Sequence, residues 1–289
     1  MQRAFKLTSK SELYAIFYAL KKNKPAIISL GVIIILCLTA VLADFLAPRD
    51  PAEQNLDYRL KPPNTDYLLG TDELGRCILS RIIYGSRVSL IVGIISVSVS
   101  LGIGITVGCI AGYFGGKIGT ILMTLADITL SFPGLVLAIG FAALLGPGIN
   151  NVMLALSLVG WPPYARVIRG ETLALREKQF ISASKAIGES GLYIVLHHII
   201  PNIISAAIVM ATLGMGWAII SEAGLSFIGL GIAPPESSWG LMISTGRLYF
   251  LYSPHTIIFP CLFLSLTILS FNILGDGLRD ALDPRLRIR

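Results

Sequence analysis

Charged residues are scarce in this sequence. Only 14% of its 289 residues are Asp, Glu, Lys or Arg, and 54% are hydrophobic, whereas ordinary soluble domains carry about 25% charged residues. The charges cluster between long uncharged runs, which predicts an integral membrane protein whose uncharged runs cross the bilayer. The net charge of +6 does not indicate a nucleic-acid-binding protein, because the basic residues follow the topology of the predicted spans.

Motifs for covalent chemistry, metal binding and nucleotide binding are also missing from the sequence. Three of the four cysteines lie inside apolar runs, which leaves no disulfide framework, and the three histidines lack the spacing of a metal site. The nearest approach to a phosphate-binding loop runs from Ala111 to Ile118 and departs from that motif at both of these positions. We therefore expect a chain that binds no cofactor or metal and takes its energy from a partner or an ion gradient.

The apolar runs are long enough to cross a membrane, since a span needs about 20 residues. A turn at Gly146-Pro147-Gly148 divides the longest run into two helices. The sequence thus predicts an all-α polytopic fold with six transmembrane helices, within Ala26–Leu46, Val88–Gly116, the two halves of Ile118–Ala165, Ile199–Ser221 and Leu248–Gly275.

Basic residues predict the orientation of these spans. With both termini on one side, the segments on that side carry sixteen Lys and Arg residues, and the segments on the other side carry seven. This excess predicts that both termini are cytoplasmic. A cleaved signal peptide is the alternative for the first run, but the run exceeds an h-region in length and follows a tail of 25 residues.

Two acidic residues fall within or at the end of apolar runs. Asp127 lies in the third predicted span, six residues before Pro133, and Glu222 ends the fifth. Acids in membrane helices are costly and are functional candidates by default. The alternative is an acid that pairs with a neighbouring helix or caps a helix that the proline breaks.

A polar segment between the fourth and fifth spans predicts two short helices. Lys178–Ile187 forms the first, and Gly188 suits its C′ position, where a positive φ is easy for glycine. Ser190 caps the second, which lies along the membrane interface and leads into the fifth span at Pro201. This helix carries an apolar stripe, formed by Leu192, Val195, Leu196 and Ile199. The first helix carries small residues suited to a partner groove, namely Ser182, Ala183 and Ser184; a hairpin without a partner is the alternative.

The segment from Phe180 to Asn202 resembles the coupling-loop motif of ABC-importer permeases, which reads E-A-A, three residues, G, and later I-x-L-P. Four residues match it: Ala183, Gly188, Ile199 and Pro201. Three depart from it: Ser182 replaces Glu, Ser184 replaces Ala and Ile200 replaces Leu. Further stretches look like the C-type subunit of dipeptide, oligopeptide and nickel importer permeases, with Cys77 replacing the usual Asp; they are Gly70–Gly93, Ser226–Tyr249 and Phe271–Arg287.

The resemblance covers about Ala26 to Arg287 and implies a type I ABC-importer permease fold. Residues 1–87 then hold the N-terminal tail, first span and outer segment, and residues 88–289 hold the permease core with a coupling loop at about 170–200. The implied partners are a sibling B-type permease, one or two ATPase subunits that bind ATP and Mg, and an extracytoplasmic substrate-binding protein. The implied function is import of peptides, nickel or nickel chelates across a prokaryotic cytoplasmic membrane, by a subunit that is not itself an enzyme.

An ion-coupled secondary carrier is the rival interpretation, with Asp127 and Glu222 as proton or cation sites. The coupling loop favours the importer, and no inverted repeat is visible in the sequence.

Two outer segments carry further candidate sites. Arg76, Arg81 and Arg87 form a basic group that we expect to position the binding protein or the sibling permease; a ring of snorkelling side chains is the alternative. The second outer segment, with Gly231 and with Trp239 as an interface anchor, is expected to gate the mouth of the cavity. A static lid is the alternative there.

Overall fold

A computed structural model describes residue 20 and residues 22–282 of this chain. These residues fold into a bundle of long helices joined by short helices and turns. The helices, numbered in chain order, are α1 (Lys24–Val41), α2 (Ala43–Leu46), α3 (Ile78–Tyr113), α4 (Gly116–Leu130), α5 (Gly134–Leu145), α6 (Ile149–Arg176), α7 (Gln179–Ala186), α8 (Gly191–Ile194), α9 (Ile200–Phe227), α10 (Trp239–Gly246) and α11 (His255–Leu282). The predicted cytoplasmic termini lie outside the described residues.

Four helical segments are long and apolar enough to cross a membrane, and they confirm that the chain is an integral membrane protein. They are Lys24–Val41, Ile78–Tyr113, Gly191–Phe227 and His255–Leu282. The pair α4 and α5 makes a fifth span if its two bent halves cross the membrane together. Helix α6 has the length of a span, but its two asparagines, two prolines and four charged residues lower its mean hydropathy. A sixth span therefore stays a prediction.

The third predicted span differs most from the structure. Instead of one kinked helix, the chain forms α4 and α5, which meet at an angle of 89° across residues 131–133. Pro133 precedes the first turn of α5, and the residue before a proline is disfavoured in the helical region, so α4 ends and a new helix begins. The turn at Gly146-Pro147-Gly148 is confirmed, because α5 ends at Leu145 and α6 begins at Ile149. Both glycines have positive φ there, 83° and 135°.

Helices α3 and α6 form the centre of the bundle and share its most extensive helix–helix contact. Three glycines four residues apart predict such a contact, because the missing side chains let another helix approach closely. A Cβ atom at Gly108 would lie 2.7 Å from the Ala165 carbonyl oxygen, and one at Gly112 would lie 2.7 Å from Thr172 Cβ. Gly104 is packed as closely against Tyr164. The packing prediction is confirmed.

The bundle has two ends that differ in construction. We call the lower end the one where Tyr113 closes α3, Arg176 closes α6 and α7 lies; the Arg176 guanidinium donates to the Tyr113 carbonyl at 3.2 Å. The upper end holds the start of α3, the turn before α6, the segment 228–254 and the start of α11. The amide of Gly148 donates to the carbonyl of Gly231 there at 3.0 Å, which joins two of these loops.

Helix α1 packs against α11 and α3. Asn23 caps it by accepting a hydrogen bond from the amide of Ala26 at 3.2 Å. A Cβ atom at Gly277 of α11 would overlap Ala26, so the two helices approach closely at the lower end.

Candidate functional site

Helix α7 ends in the way that Gly188 predicts. Gly188 has φ +86°, and its amide donates to the Lys185 carbonyl at 3.1 Å while the Glu189 amide donates to the Ser184 carbonyl at 3.1 Å. These two bonds form a Schellman motif, which satisfies carbonyls at the helix end. No heavy atom beyond the neighbouring residues lies within 4 Å of the site where a Cβ would stand. The glycine is therefore required by backbone conformation and not by space.

The small residues of α7 divide between two faces. Ser182 and Ala183 are exposed, whereas Ser184 is buried and lies 3.3 Å from His198 Nε2 through its hydroxyl. The outward face also carries Ala186 and Ile187, and the Ile187 residue is 77% exposed. Of the three small residues predicted to enter a partner groove, Ser182 and Ala183 are therefore on the exposed face. Ser184 is not, because it faces the bundle, and Ile187 adds an apolar side chain to that exposed face.

The inner face of α7 is anchored by Ile181. This residue is fully buried in an apolar cluster with residues of α3, α6, α8 and α9 and of the turn before α9, including Cys109, Ile168, Ile194, Val195, Ile199 and Ile203. Because protein interiors are close-packed and poorly compressible, a displacement of α7 is passed to the helices around Ile181. Lys185 lies over the Tyr113 ring, 5.5 Å from its centroid, and adds a contact with α3.

The second predicted helix is not a separate interfacial helix. Ser190 caps α8 as predicted, since its hydroxyl oxygen accepts from the Tyr193 amide at 3.3 Å. A π-helical turn at Val195–Ile199 then joins α8 to α9. The predicted stripe divides between two faces: Val195 and Ile199 are buried within the chain, and Leu192 and Leu196 are exposed on its surface. Pro201 stands in the first turn of α9, where a proline is tolerated.

A polar contact joins the segment after α7 to the π turn, and residue spacing did not predict it. His198 Nε2 lies 3.0 Å from a Glu189 carboxylate oxygen and 3.3 Å from the Ser184 hydroxyl. The chain lacks the acid usual at position 182, yet it has Glu189 directly after the glycine. That acid, nine residues before a histidine of the following helix, is the signal by which the contact could have been found. Among the described residues, no group of three or more metal-ligating side chains forms.

The upper end is closed by charges that pair within the chain. Asp72 pairs with Arg76, Nε to Oδ2 at 2.7 Å, and also with Arg81. Arg76 further pairs with Glu73 at 2.6 Å, and all these side chains are buried or nearly so. Arg81 also contacts the Ser237 hydroxyl at 3.5 Å, which links the first outer segment to the second. Arg76 and Arg81 therefore do not form the predicted docking surface, because their guanidinium groups point into the fold.

Arg87 joins α3 to the first span. Its guanidinium donates to the Ala40 carbonyl at 2.9 Å and pairs with Asp44 at 3.1 Å. The Arg87 side chain stays one-third exposed, but it does not form the predicted basic group, because Arg76 and Arg81 point into the fold.

The second outer segment packs into the chain more deeply than the sequence predicts. Trp239 is fully buried, and its indole N–H donates to the Ile82 carbonyl at 3.1 Å. The predicted membrane-interface anchor is therefore wrong, because the indole fills space next to Gly85, where a Cβ would lie 3.1 Å from the ring. Gly231 is equally confined, since a Cβ there would overlap Ser226.

Glu222 lies inside α9 and not at its end, because the helix continues to Phe227. The residue is fully buried. Ser226 donates a hydrogen bond to the carboxylate at 2.8 Å, Ser89 contributes a weaker contact at 3.4 Å, and Ser238 also bonds to it. The acid thus links α3, α9 and the start of α10 through hydroxyl groups.

Asp127 is paired to a neighbouring helix, as one of its two interpretations proposed. The Arg166 guanidinium of α6 lies 2.6 Å from the Asp127 carboxylate of α4. Both side chains are more than half exposed, 59% for Asp127 and 54% for Arg166. The proline break that was expected to need this acid lies four to six residues further on, and Asp127 does not cap it.

A cavity of about 450 Å³ lies beside this pair, between α4, α5, α6 and α9. Its wall is mostly apolar and includes Leu130, Val159, Pro163, Tyr164, Leu213 and Trp217. A second, open cavity of about 430 Å³ lies at the upper end between residues 147–151 and 233–236.

Comparison with known proteins shows the family to which this chain belongs. Residues 104–288 match the model of the binding-protein-dependent transport system inner membrane component, and residues 13–63 match the N-terminal membrane domain of oligopeptide transport permease C. The dipeptide transport system permease protein DppC of Alkalihalophilus pseudofirmus is 43% identical over 271 residues, which cover 94% of this chain and 89% of that one. DppC of Bacillus subtilis is 41% identical over 270 residues, 93% of this chain and 84% of that one.

A relative named for another substrate is about as similar. The glutathione transport system permease protein GsiD of Pectobacterium atrosepticum is 42% identical over 257 residues, which cover 88% of this chain and 85% of that one.

Proposed function

This chain belongs to the family of binding-protein-dependent transport system inner membrane components, and the relatives named above are C-type permeases. We propose that it is one membrane-spanning half of an ATP-driven importer. The observation that carries this proposal is α7: a short helix with an exposed small-residue face, closed by a left-handed Gly188 and anchored in the bundle through Ile181. Such a helix is suited to entering a groove on an ATPase subunit.

Small peptides are the proposed substrates. The relatives described above are named for dipeptide and glutathione transport, and a cavity of about 450 Å³ lies within the usual range of about 300–1,000 Å³ for small-ligand sites. The nickel alternative draws no support from these names and is not proposed further.

Coupling proceeds through the contacts of α7. When the partner ATPase subunits bind ATP and Mg and close, they displace α7, and the cluster around Ile181 transmits the displacement to α3, α6 and α9. The contact of His198 with Glu189 and Ser184 ties the same displacement to the π turn. The bundle then rocks between a conformation whose cavity is open to the outside and one whose cavity is open to the cytoplasm. Each partner shifts the populations of these two conformations by binding one of them better.

The proposed assembly contains a sibling B-type permease, one or two ATPases and an extracytoplasmic binding protein, in the inner membrane of a prokaryote. The lower end faces the cytoplasm in this arrangement. Four Lys and Arg residues between positions 169 and 185 lie toward that side, as the positive-inside rule favours.

The carrier alternative is less well supported. Glu222 is enclosed by serine hydroxyls and Asp127 is paired with Arg166, so both acids have partners within the chain. An enclosed acid suits a structural link better than an ion site open to exchange.

Reconstitution tests the proposal. The chain is co-expressed with its sibling permease and ATPases, placed in proteoliposomes with the binding protein, and assayed for uptake of a labelled dipeptide. We expect uptake that requires ATP hydrolysis and persists after ionophores collapse all ion gradients. Uptake by the chain without ATPases, driven by a proton or sodium gradient, would contradict the importer and favour the carrier.

A further inference from the structure

The ion pair between Asp127 and Arg166 lies far along its two helices from their lower ends. Asp127 is eleven residues from the start of α4, and Arg166 is ten residues before the end of α6. At a rise of about 1.5 Å per residue, the pair stands roughly 15 Å above the lower end of both helices. The hydrocarbon core of a bilayer is about 30 Å thick, so the pair stands about half a core thickness from the lower end of both helices.

The surface around the pair is too polar to face lipid. Asp127 belongs to a stripe of exposed polar residues on one face of α4, spaced four, three and four residues apart, which is the spacing of one helical face: Thr120, Thr124, Asp127 and Ser131. Their hydroxyls donate to carbonyls of the same helix, yet the oxygen atoms keep free acceptor positions. Charged groups within a membrane almost always face a water-filled cavity or protein, so this face borders water or another chain.

The pair adjoins the 450 Å³ cavity on both of its helices. Leu130 of the cavity wall stands three residues after Asp127, and Pro163 stands three residues before Arg166. Because α4 and α6 run in opposite directions, both offsets place the ion pair one helical turn below the cavity, toward α7. Neither residue lines the cavity itself, but this position puts the pair between the cavity and the lower end on both helices.

We propose that Asp127 and Arg166 line the translocation pathway directly below this cavity, close it in the described conformation, and separate to let a substrate pass. The inference rests on the proposed function and names the residues through which a peptide leaves the cavity.

Charge chemistry explains how the pair can open. Both side chains are more than half exposed, so water solvates the two charges when the pair opens, and breaking an exposed pair costs little. A peptide carries a terminal ammonium and a terminal carboxylate, so a passing peptide replaces the single pair with two new ones, ammonium to Asp127 and carboxylate to Arg166. The site therefore favours zwitterionic peptides over neutral solutes of the same size.

Reversible crosslinking tests whether the pair separates. The four native cysteines are replaced by alanine, Asp127→Cys and Arg166→Cys are introduced, and the full complex is joined with a bifunctional methanethiosulfonate reagent in proteoliposomes. We expect ATP-driven dipeptide uptake to fall at least tenfold on crosslinking and to recover after reduction. The matched control joins Asp44→Cys to Arg87→Cys, a second interhelical pair at the upper end, where crosslinking should leave uptake unchanged.

Thiol labelling provides an independent readout should the cysteine pair lower uptake before any crosslink forms. The variant Asp127→Cys alone is labelled with a small water-soluble thiosulfonate in the ATP-bound and ATP-free complex. Rates that differ at least tenfold between the two states support the inference. Equal rates, no reaction in either state as for a static interface with the sibling permease, or full uptake through the crosslinked pair would each overturn it. A native complex that takes up no peptide would instead contradict the proposed function.

Discussion

The two ends of this bundle use the same kinds of residues in opposite ways. At the upper end, Asp72, Arg76 and Arg81 pair with one another inside the fold, and Trp239 and Glu222 find their hydrogen bonds within the chain. Toward the lower end, the pair Asp127–Arg166 and the outer face of α7 are exposed. The difference teaches that a charged or aromatic residue near a membrane is not by itself a sign of function. Its partners within the chain must be known first, because a residue that is paired and buried there serves the fold.

Among the substitutions that test this difference between the two ends, Arg81→Ala should lower the stability of the protein most. Arg81→Ala leaves Asp72 buried with half of its charge partners gone, and breaking a buried ion pair costs about 3–5 kcal/mol. We expect the free energy of unfolding in detergent to fall by about that amount and the yield of monodisperse protein to drop sharply. Denaturant titration followed by helix content measures it.

The control is Arg87→Ala at the same end. Its pair with Asp44 is largely exposed, and exposed pairs contribute about 0–1 kcal/mol. If both arginine variants lost the same stability, the closed upper end described above would be incorrect.

Substitution of Glu222 should cause the next largest loss of stability. Glu222→Ala leaves the hydroxyls of Ser226 and Ser89 without their acceptor in a buried site, which costs about 1–3 kcal/mol. Glu222→Gln keeps an acceptor oxygen and should retain most of the stability and all of the ATP-driven uptake. Complete loss of uptake in the glutamine variant, with normal stability, would show that this acid carries ions and does not merely join helices.

Gly188→Val should affect function more than stability. Valine in the left-handed region is a steric outlier, and such strain costs about 1–3 kcal/mol, here confined to the end of α7. We expect the protein to insert into the membrane while uptake falls and ATP hydrolysis stops responding to the binding protein. Gly188→Asn is the matched control, because asparagine tolerates this conformation, and it should keep most of the uptake. Equal loss in the two variants would mean that side-chain size and not backbone strain matters here.

The chain from Lys178 to Pro201 and the turn before α6 could be predicted from sequence, because local rules decide their structure. Gly188, Ser190 and the Gly146-Pro147-Gly148 turn each act through backbone conformation or a helix cap within a few residues. Their predictions are confirmed. The glycine stripe of α3 is confirmed for a related reason, since the spacing of missing side chains is visible in one helix alone.

The parts that sequence could not predict depend on distant residues. The partners of Arg81 include Ser237, 156 residues away, and those of Asp127 include Arg166, 39 residues away. The π turn at Val195–Ile199 has no local marker in the sequence. The 89° bend between α4 and α5 had a marker in Pro133, but a proline alone does not distinguish a kink from a break.

We infer that α7 at the lower end engages an ATPase and that the upper end does not. The most direct measurement compares Ala183→Arg with Ala52→Arg, an exposed alanine at the upper end, by co-purification of the ATPase subunits with each variant. The account predicts at least a tenfold loss of bound ATPase for Ala183→Arg and an unchanged amount for Ala52→Arg, with both variants equally abundant in the membrane. Normal ATPase binding and normal peptide uptake by Ala183→Arg would contradict it.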